Sequence, residues 1–183
     1  MRFQRLLPFV LVSSLVLAGI ASAQTASTPL RPPDVIFVPT GTQVVEAMLK
    51  LAKVGPSDIV YDLGSGDGRI PIAAVQTFNA KSAVGIDIDP QRIKEANENL
   101  AKSGVGARVK FLNQDLFTTP IGEATVVTLY LLQSLNEKLM PKLQKELKPG
   151  SRVVSQSFSM GTSWTPDQTI LVDNRNVYLW IIK

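Results

Sequence analysis

The chain of 183 residues contains no cysteine and no histidine. Without cysteine it can form no disulfide and has no thiolate nucleophile or thiolate metal ligand. Without histidine, catalytic triads that use an imidazole base are excluded, and a zinc site is disfavoured because zinc is bound mainly by these two residue types. We therefore predict no metal site and expect the chemistry to depend on carboxylates, lysine, tyrosine, hydroxyls, backbone groups or a bound cofactor.

Charged residues are also few, at 19% of the chain against 45% hydrophobic residues, which is typical of a globular protein. The formal net charge is +4, and Arg2 and Arg5 at the extreme N-terminus supply two of those charges. We find no stripe of basic residues interleaved with aromatic ones. The composition therefore gives no support for a nucleic-acid partner.

Residues 1–23 have the pattern of an export signal. Arg2 and Arg5 precede a hydrophobic run from Leu6 to Ile20, and Ala21-Ser22-Ala23 forms an A-x-A cleavage site. An uncleaved membrane anchor is the alternative, but the run is short for a spanning helix. We predict a signal peptide over 1–23 and a periplasmic or secreted protein without stable membrane insertion after cleavage. If the signal does not function, the protein would be cytoplasmic.

Residues 24–37 are rich in threonine, serine and proline and predict a linker or an extended N-terminal arm. Residues 38–183 alternate between strand and helix patterns and predict one α/β domain. Strands are predicted over 59–61, 83–88, 109–112, 124–132, 152–158, 170–172 and 177–182. Helices are predicted after a Thr40 cap with Gln43 closing a capping box, over 70–78, from an Asp89 cap to Gly104, and over 136–147. Pro141 should kink the last helix or delay its start. This order predicts a doubly wound, mostly parallel seven-stranded sheet with an antiparallel last strand.

A glycine-rich loop, Gly64-Ser65-Gly66-Asp67-Gly68, separates the first predicted strand from the helix that follows it. Glycine permits positive φ and lets a ligand approach the backbone, and a helix start offers free N–H groups. The spacing is G-x-G-x-G, which differs from the G-x-G-x-x-G of dinucleotide-binding loops. Asp62, just before the loop, would repel a pyrophosphate but would suit a cationic amine or sulfonium. An ordinary glycine turn is the alternative interpretation.

Carboxylates also lie at the ends of the next two predicted strands. Asp87 lies 23 positions after Gly64, where a carboxylate can accept hydrogen bonds from both hydroxyls of a ribose. Asp89 is the competing candidate, although its place before a proline suits helix capping. Asp115, in the segment NQDLF, could accept from an adenine amino group or be an ordinary turn residue. Acidic residues at three successive strand ends indicate a nucleoside cofactor more strongly than the glycines alone.

These motifs resemble those of the class I S-adenosylmethionine (SAM) methyltransferases. VYDLGSGDGR is similar to their first motif, VGIDIDP to their second, NQDLF to their acidic strand end and KELKPGSRVV to the segment before their fifth strand. VPT, ATVVTLYLL and GSRVVS also resemble small prokaryotic proteins that include archaeal protein-lysine methyltransferases. The resemblance runs from residue 38 to 182. It implies a Rossmann-like fold, SAM as cofactor and methyl transfer to a nucleophilic side chain, with protein lysine as the expected acceptor.

The resemblance also implies roles for individual residues. The residues expected to hold the methionine part of SAM are Asp62, Gly64, Gly66 and Gly68, with Ser65 in the same loop. Asp87 would bind the ribose, Asp115 the adenine, and Thr40 of VPT the carboxylate of the cofactor. Tyr130 would lie beside the transferring methyl group, with Asn136 as a second catalytic candidate. Core packing is the alternative role for Tyr130.

The chain departs from the family pattern in ways that bear on the acceptor. Gly41 stands where the family often has proline, and residues 155–159 read SQSFS where the family tends to carry acidic residues that could attract a lysine. Residues 130–133 read YLLQ in place of the Asn/Asp-Pro-Pro-aromatic motif of enzymes that methylate amino groups of bases, which argues against a nucleic-acid substrate.

Other functions stay open at this point. SAM is made in the cytoplasm, so an export signal favours an alternative in which the protein is a non-catalytic binding or interaction module that retained the fold. An NAD-type oxidoreductase is disfavoured by the glycine spacing and by Asp62. The sequence makes no prediction of the oligomeric state.

Overall fold

The structure is a computed structural model that describes residues 30–183. The predicted signal peptide over 1–23 lies outside the described residues. The strands are β1 Ile59–Leu63, β2 Ser82–Asp87, β3 Val109–Asn113, β4 Val126–Leu129, β5 Arg152–Gln156, β6 Gln168–Val172 and β7 Arg175–Ile181. The helices are α1 Thr42–Leu51, α2 Arg69–Gln76, α3 Pro90–Ser103 and α4 Gln133–Glu146. No helix within residues 30–183 is both long and apolar enough to cross a bilayer.

The strands form one seven-stranded sheet in the order β3-β2-β1-β4-β5-β7-β6. The first five strands pair in parallel, and β7 is antiparallel to both of its neighbours. Asp173 and Asn174 connect β6 to β7, and both have positive φ, as a tight two-residue hairpin requires. The predicted doubly wound sheet with an antiparallel last strand is confirmed. The strand order reverses between β1 and β4, which is where ligands bind in such sheets.

Both faces of the sheet are covered by hydrophobic layers. One layer joins Val44 and Met48 of α1 and Val75 of α2 to alternate strand residues, and the other joins Leu139 and Leu143 of α4 to the opposite face. All four residues of β4 are buried, as expected for a central parallel strand. The packing holds the carboxyl ends of β1, β2 and β4 at one edge of the sheet.

The boundaries of α1 and α4 differ from those predicted. Gly41, and not Thr40, is the N-cap of α1, and its carbonyl accepts from the amides of the first helical turn. The predicted Thr40 capping box is therefore wrong. α4 begins at Gln133 and continues through Pro141, so the predicted delayed start is also wrong. Buried residues on both sides of Pro141 pack α4 on the sheet, which offsets the loss of one backbone hydrogen bond.

The boundaries of α3 agree with prediction. The side chain of Asp89 accepts a hydrogen bond of 2.8 Å from the amide of Gln91, and Pro90 occupies the first helical position. Gly104 ends the helix in the left-handed conformation. Capping signals that are local in sequence thus set both the start and the end of α3.

A buried ion pair lies at the amino ends of the strands, opposite the carboxyl ends that face the ligand side. Asp58 is 5% exposed and accepts hydrogen bonds from Arg152, from the hydroxyl of Thr125 (2.7 Å) and from the amide of Gly55 (2.9 Å). Arg152 also donates to the carbonyl of Ala52 (2.9 Å). These contacts join the loop before β1 to the start of β5.

We expect Asp58→Ala to lower the free energy of unfolding by about 2–4 kcal/mol, because it leaves a half-buried guanidinium and two polar groups without their acceptor. Chemical denaturation measures this loss. Glu46→Ala is the matched control, since its ion pair with Lys50 is exposed and should contribute less than about 1 kcal/mol. Equal losses in the two variants would contradict the expectation.

Candidate cofactor and active site

A cleft lies over the carboxyl ends of β1, β2 and β4. It brings together six of the residues predicted from the sequence: Thr40, Asp62, Gly64, Ser65, Asp87 and Tyr130. Four other predicted residues do not line it: Gly66, Gly68, Asp115 and Asn136. Six of the ten predicted site residues therefore meet in one cleft.

The glycine loop follows a path that only glycine adopts easily. Gly64, Gly66 and Gly68 all have positive φ. A Cβ atom added at Gly66 would lie 2.3 Å from the ring of Phe37, and one at Gly68 would lie 2.4 Å from the ring of Phe111. A Cβ atom at Gly64, which lines the cleft, would lie 2.8 Å from the side chain of Leu131, so all three glycines allow neighbouring side chains to pack against the loop.

Asp62 is a buried carboxyl group that reaches the cleft. It is 2% exposed, and its Oδ1 atom accepts a hydrogen bond of 2.7 Å from the hydroxyl of Thr128. Burial raises the pKa of Asp62 to about 7, and repulsion by Asp87 and Asp67 acts in the same direction, while the bond from Thr128 opposes it. A cation placed in the cleft would favour the ionised form of this group.

Asp87 supports the glycine loop from the end of β2. One carboxylate oxygen accepts from the amide of Gly66 (2.8 Å) and the other from the amide of Asp89 (2.9 Å). Burial raises its pKa, although both backbone hydrogen bonds oppose the rise. Each oxygen keeps a second lone pair for a ligand hydroxyl. Because Asp89 uses its own side chain to cap α3, these contacts favour Asp87 as the ribose ligand.

Asp115 is paired with a residue that the sequence did not indicate. Arg31 donates to its two oxygens at 2.7 and 3.3 Å, and the amide of Phe117 donates at 2.9 Å. Burial acts to raise the pKa of Asp115, but the hydrogen bonds from Arg31 and Phe117 outweigh it and the pKa lies below its usual range. An adenine amino group would have to share or replace the contact with Arg31.

Arg31 belongs to an arm, residues 31–38, that forms the roof of the cleft. Seven arm residues line the cleft: Arg31, Pro33, Asp34, Val35, Ile36, Phe37 and Val38. The guanidinium of Arg92 lies 4.8 Å from the centre of the Phe37 ring. Arg69, the first residue of α2, donates to the carbonyl of Thr40, just after the arm, at 2.7 Å and pairs with Asp67 of the loop at 2.6 Å. Composition predicted a linker or arm here, but no sequence signal indicated that it covers the cleft.

The two predicted catalytic residues occupy different environments. Tyr130 is half-buried directly after β4, and its hydroxyl accepts from Arg175 at 3.4 Å. Asn136 is fully buried on α4 and donates to the hydroxyl of Ser155 (3.1 Å) and the carbonyl of Phe158 (3.0 Å). Tyr130 is therefore accessible to a ligand, whereas Asn136 braces the segment after β5.

Known proteins resemble this chain in sequence and structure. Residues 62–168 match the family model of the ANTKMT methyltransferase domain. The protein-lysine N-methyltransferase of Saccharolobus islandicus is 51% identical over 154 residues, which cover 82% of this chain and 95% of that protein. The adenine nucleotide translocase lysine N-methyltransferase of Mus musculus is 36% identical over 138 residues, 75% of this chain and 58% of that protein.

A solved structure has a similar level of sequence identity to this chain. It is described as an RNA methyltransferase from Salinibacter ruber in complex with S-adenosyl-L-homocysteine (SAH). It shares 52% identity and a TM-score of 0.77, covering 79% of this chain and 94% of that one. The two relatives with about half of their residues identical to this chain thus carry different substrate names.

The fold and the cleft, together with these relatives, define a SAM-dependent methyltransferase of class I. Within that class, the chain belongs to the ANTKMT methyltransferase family. The predicted fold family, the enzymatic activity and SAM as the cofactor are thereby confirmed. The alternative of a non-catalytic module gains no support. The cleft itself fits this cofactor, because the buried Asp62 that lines it suits a cationic group.

Proposed function

We propose that this protein methylates lysine side chains of a protein substrate. The relative from Saccharolobus islandicus, 51% identical, and the more distant mouse relative are both named as lysine methyltransferases. The observation that carries the proposal is a second cavity, here called the mouth, which adjoins the cofactor cleft at Tyr130. Its walls are mostly aliphatic or aromatic, formed by Val35, Ile36, Val38, Tyr130, Leu131, Leu132 and Phe158. Walls of this kind suit the alkyl stem of lysine.

SAM, when bound, supplies an activated methyl group on a sulfonium. The residues of this chain then bind and orient the two reactants. Asp62 and Asp87 hold the cofactor, and the apolar side chains of the mouth pack along the alkyl stem of the acceptor. The hydroxyl of Tyr130, fixed on one side by Arg175, accepts a hydrogen bond from that amine and orients it. The amine loses its proton to solvent before it reacts.

An RNA substrate is the second candidate, because the 52% identical relative is described as an RNA methyltransferase. Residues 130–133, YLLQ, stand where enzymes acting on amino groups of bases carry their proline-containing motif. Among the described residues that line the mouth there is also no arginine or lysine to bind a phosphate backbone. These features favour lysine over a base.

Tritium transfer from labelled SAM to a cell extract, split into protein and RNA, tests the proposal. We expect label in the protein fraction, recovered as methyllysine after acid hydrolysis. Asp87→Ala enzyme is the matched control and should leave both fractions unlabelled. Label recovered in RNA and not in lysine would overturn the proposal.

Tyr130→Phe is expected to lower kcat by about tenfold, because it removes one hydrogen bond to the acceptor amine. Cofactor affinity should stay within about twofold, since the ring and its packing are retained. Initial rates and SAH titration measure the two quantities. Tyr178→Phe removes a hydroxyl whose partner is Asn176 and should leave kcat unchanged. A similar effect of both substitutions would speak against a role for Tyr130.

We also propose that residues 1–23 direct export and are removed. Arg2 and Arg5, the apolar run and Ala21-Ser22-Ala23 follow one another in the order that a signal peptidase substrate requires. Expression of the full chain with a C-terminal tag, followed by fractionation and N-terminal sequencing, should find a product that begins at Gln24 outside the cytoplasm. Ala23→Glu should block the cleavage. A full-length cytoplasmic product from the unaltered chain would exclude export.

A further inference from the structure

The mouth beside Tyr130 contains a carboxylate that the sequence pattern did not lead us to expect. Acidic residues able to attract a lysine are absent from the segment after β5, which reads SQSFS. Among the described residues that line the mouth, Asp34 is the acidic one, and it comes from the arm. Asp34 also lines the cofactor cleft, so it lies where the two cavities meet.

We propose that Asp34 binds the ammonium group of the acceptor lysine and thereby determines specificity for that substrate. This inference rests on the proposed function. It deepens that function by assigning the acidic group of the acceptor site to the N-terminal arm. The family pattern instead indicates acidic residues in the segment 155–159.

Asp34 already binds a cation in the structure. The Nη1 atom of Arg31 lies 2.5 Å from its Oδ2 atom. The two side chains are 36% and 35% exposed, so a cation from outside can reach the carboxylate. Arg31 keeps a second carboxylate partner in Asp115 and lies over the ring of Phe117, 5.5 Å from its centre. Arg31 can therefore release Asp34 to an incoming ammonium and stay anchored.

The walls of the mouth complete a lysine-shaped site. Val35 and Val38 of the arm face a cavity whose other side is formed by Leu131, Leu132 and Phe158. The alkyl stem of a lysine is apolar and its end is charged, so it needs apolar walls and one acid. The arm supplies the acid and one of the walls.

The chemistry fixes which kinetic constant Asp34 should affect. A carboxylate stabilises the charged form of an amine, whereas methyl transfer requires the neutral form. The lysine first releases a proton to water, its nitrogen then forms a bond to the methyl carbon, and the C–S bond breaks with its electron pair left on sulfur. The nitrogen becomes positively charged again as its bond to the methyl carbon forms, so Asp34 stabilises the captured ammonium and the transition state alike. Its loss should therefore raise KM for the acceptor while kcat stays nearly constant.

Asp34→Asn tests this role in the full enzyme. Transfer of tritium into methyllysine is measured at saturating SAM against increasing concentrations of extract protein. We expect the apparent KM for the acceptor to rise by about tenfold, with kcat and the Kd for SAH within about twofold. Asp34→Glu should restore most of the loss. Glu98→Gln removes the same charge from an exposed position on α3 and should change nothing.

Arg31→Gln distinguishes lysine binding by Asp34 from a purely structural role of the ion pair between Asp34 and Arg31. Both Asp34→Asn and Arg31→Gln break the ion pair between the arm residues. If Asp34 binds the acceptor, removal of the competing guanidinium lowers the acceptor KM, opposite to the effect of Asp34→Asn. Changes of the same sign in both variants, or an unchanged KM in Asp34→Asn, would overturn the inference while wild-type lysine methylation stands. If the wild type labels no lysine, the proposed function fails first.

Discussion

Asp87→Ala is expected to weaken the binding of SAH by at least about 100-fold. Two effects add. The ligand loses a carboxylate that can accept from both ribose hydroxyls, each such charged hydrogen bond being worth about 1.5–3 kcal/mol. The glycine loop also loses the acceptor that holds the amide of Gly66 at 2.8 Å. Isothermal titration calorimetry at about pH 8, above the pKa of Asp62, measures the affinity directly.

Asp89→Ala is the control that separates ribose binding from helix capping. It removes the carboxylate that caps α3 and should lower stability by about 1 kcal/mol. The backbone amide of residue 89 still donates to Asp87, so SAH affinity should stay within about threefold. If instead Asp89→Ala abolished binding and Asp87→Ala did not, the roles of the two aspartates would be reversed.

The affinity for SAH should increase as the pH rises through 7. Burial raises the pKa of Asp62 to about 7, so the carboxyl group is neutral below that pH and ionised above it. The amino group of the ligand is positively charged and binds the ionised form better. A single group with this pKa gives an increase in affinity of about tenfold between pH 6 and pH 8. At pH 7 the complex should release about half a proton, which calorimetry in buffers of different ionisation enthalpy detects.

Two substitutions identify the titrating group as Asp62. Asp62→Asn should bind SAH more weakly and lose the pH dependence. Thr128→Val removes the hydrogen bond that lowers the pKa of Asp62, so the midpoint should move to higher pH. A pH profile that persists in Asp62→Asn would assign the proton to another group, with Asp87, whose pKa is also raised, as the first alternative.

The raised pKa of Asp62 also makes the stability of the ligand-free protein depend on pH. The direction is opposite to that expected for the SAH affinity. In the unfolded chain Asp62 loses its proton near the ordinary pKa of 3.8, whereas in the folded protein it keeps the proton until about pH 7. The folded state therefore binds more protons over this range, and its stability should fall as the pH rises from about 4 to about 7. The pKa of Asp87 is raised as well, which contributes in the same direction.

Local patterns in the sequence predicted most of the fold. Alternation between strand and helix periods located all seven strands, and the capping residue Asp89, the stop at Gly104 and the turn at residues 173–174 marked boundaries correctly. The predictions failed at Thr40 and at the start of α4. In both places tertiary packing outweighs a local signal, since Thr40 is buried against the cleft and buried side chains hold α4 on the sheet through Pro141.

The acids of the cofactor cleft could also be anticipated from the sequence. Asp62 and Asp87 end adjacent parallel strands, and the topology of such a sheet brings their carboxyl ends together. The positive φ angles of the loop explain the glycines. The roles of these residues in binding SAM stay predictions that the experiments on Asp62 and Asp87 test.

By itself, the sequence determined the class of fold, the order of its elements, and the acids and glycines at the strand ends, because each depends on residues a few positions apart. Only the tertiary structure decided that the arm covers the cleft, that Arg31 pairs with Asp115, and that Asn136 is directed into the interior. The bond between Arg31 and Asp115 spans 84 positions, and irregular segments have no periodicity that would indicate such a partner. Their contacts are set by the surface on which they pack.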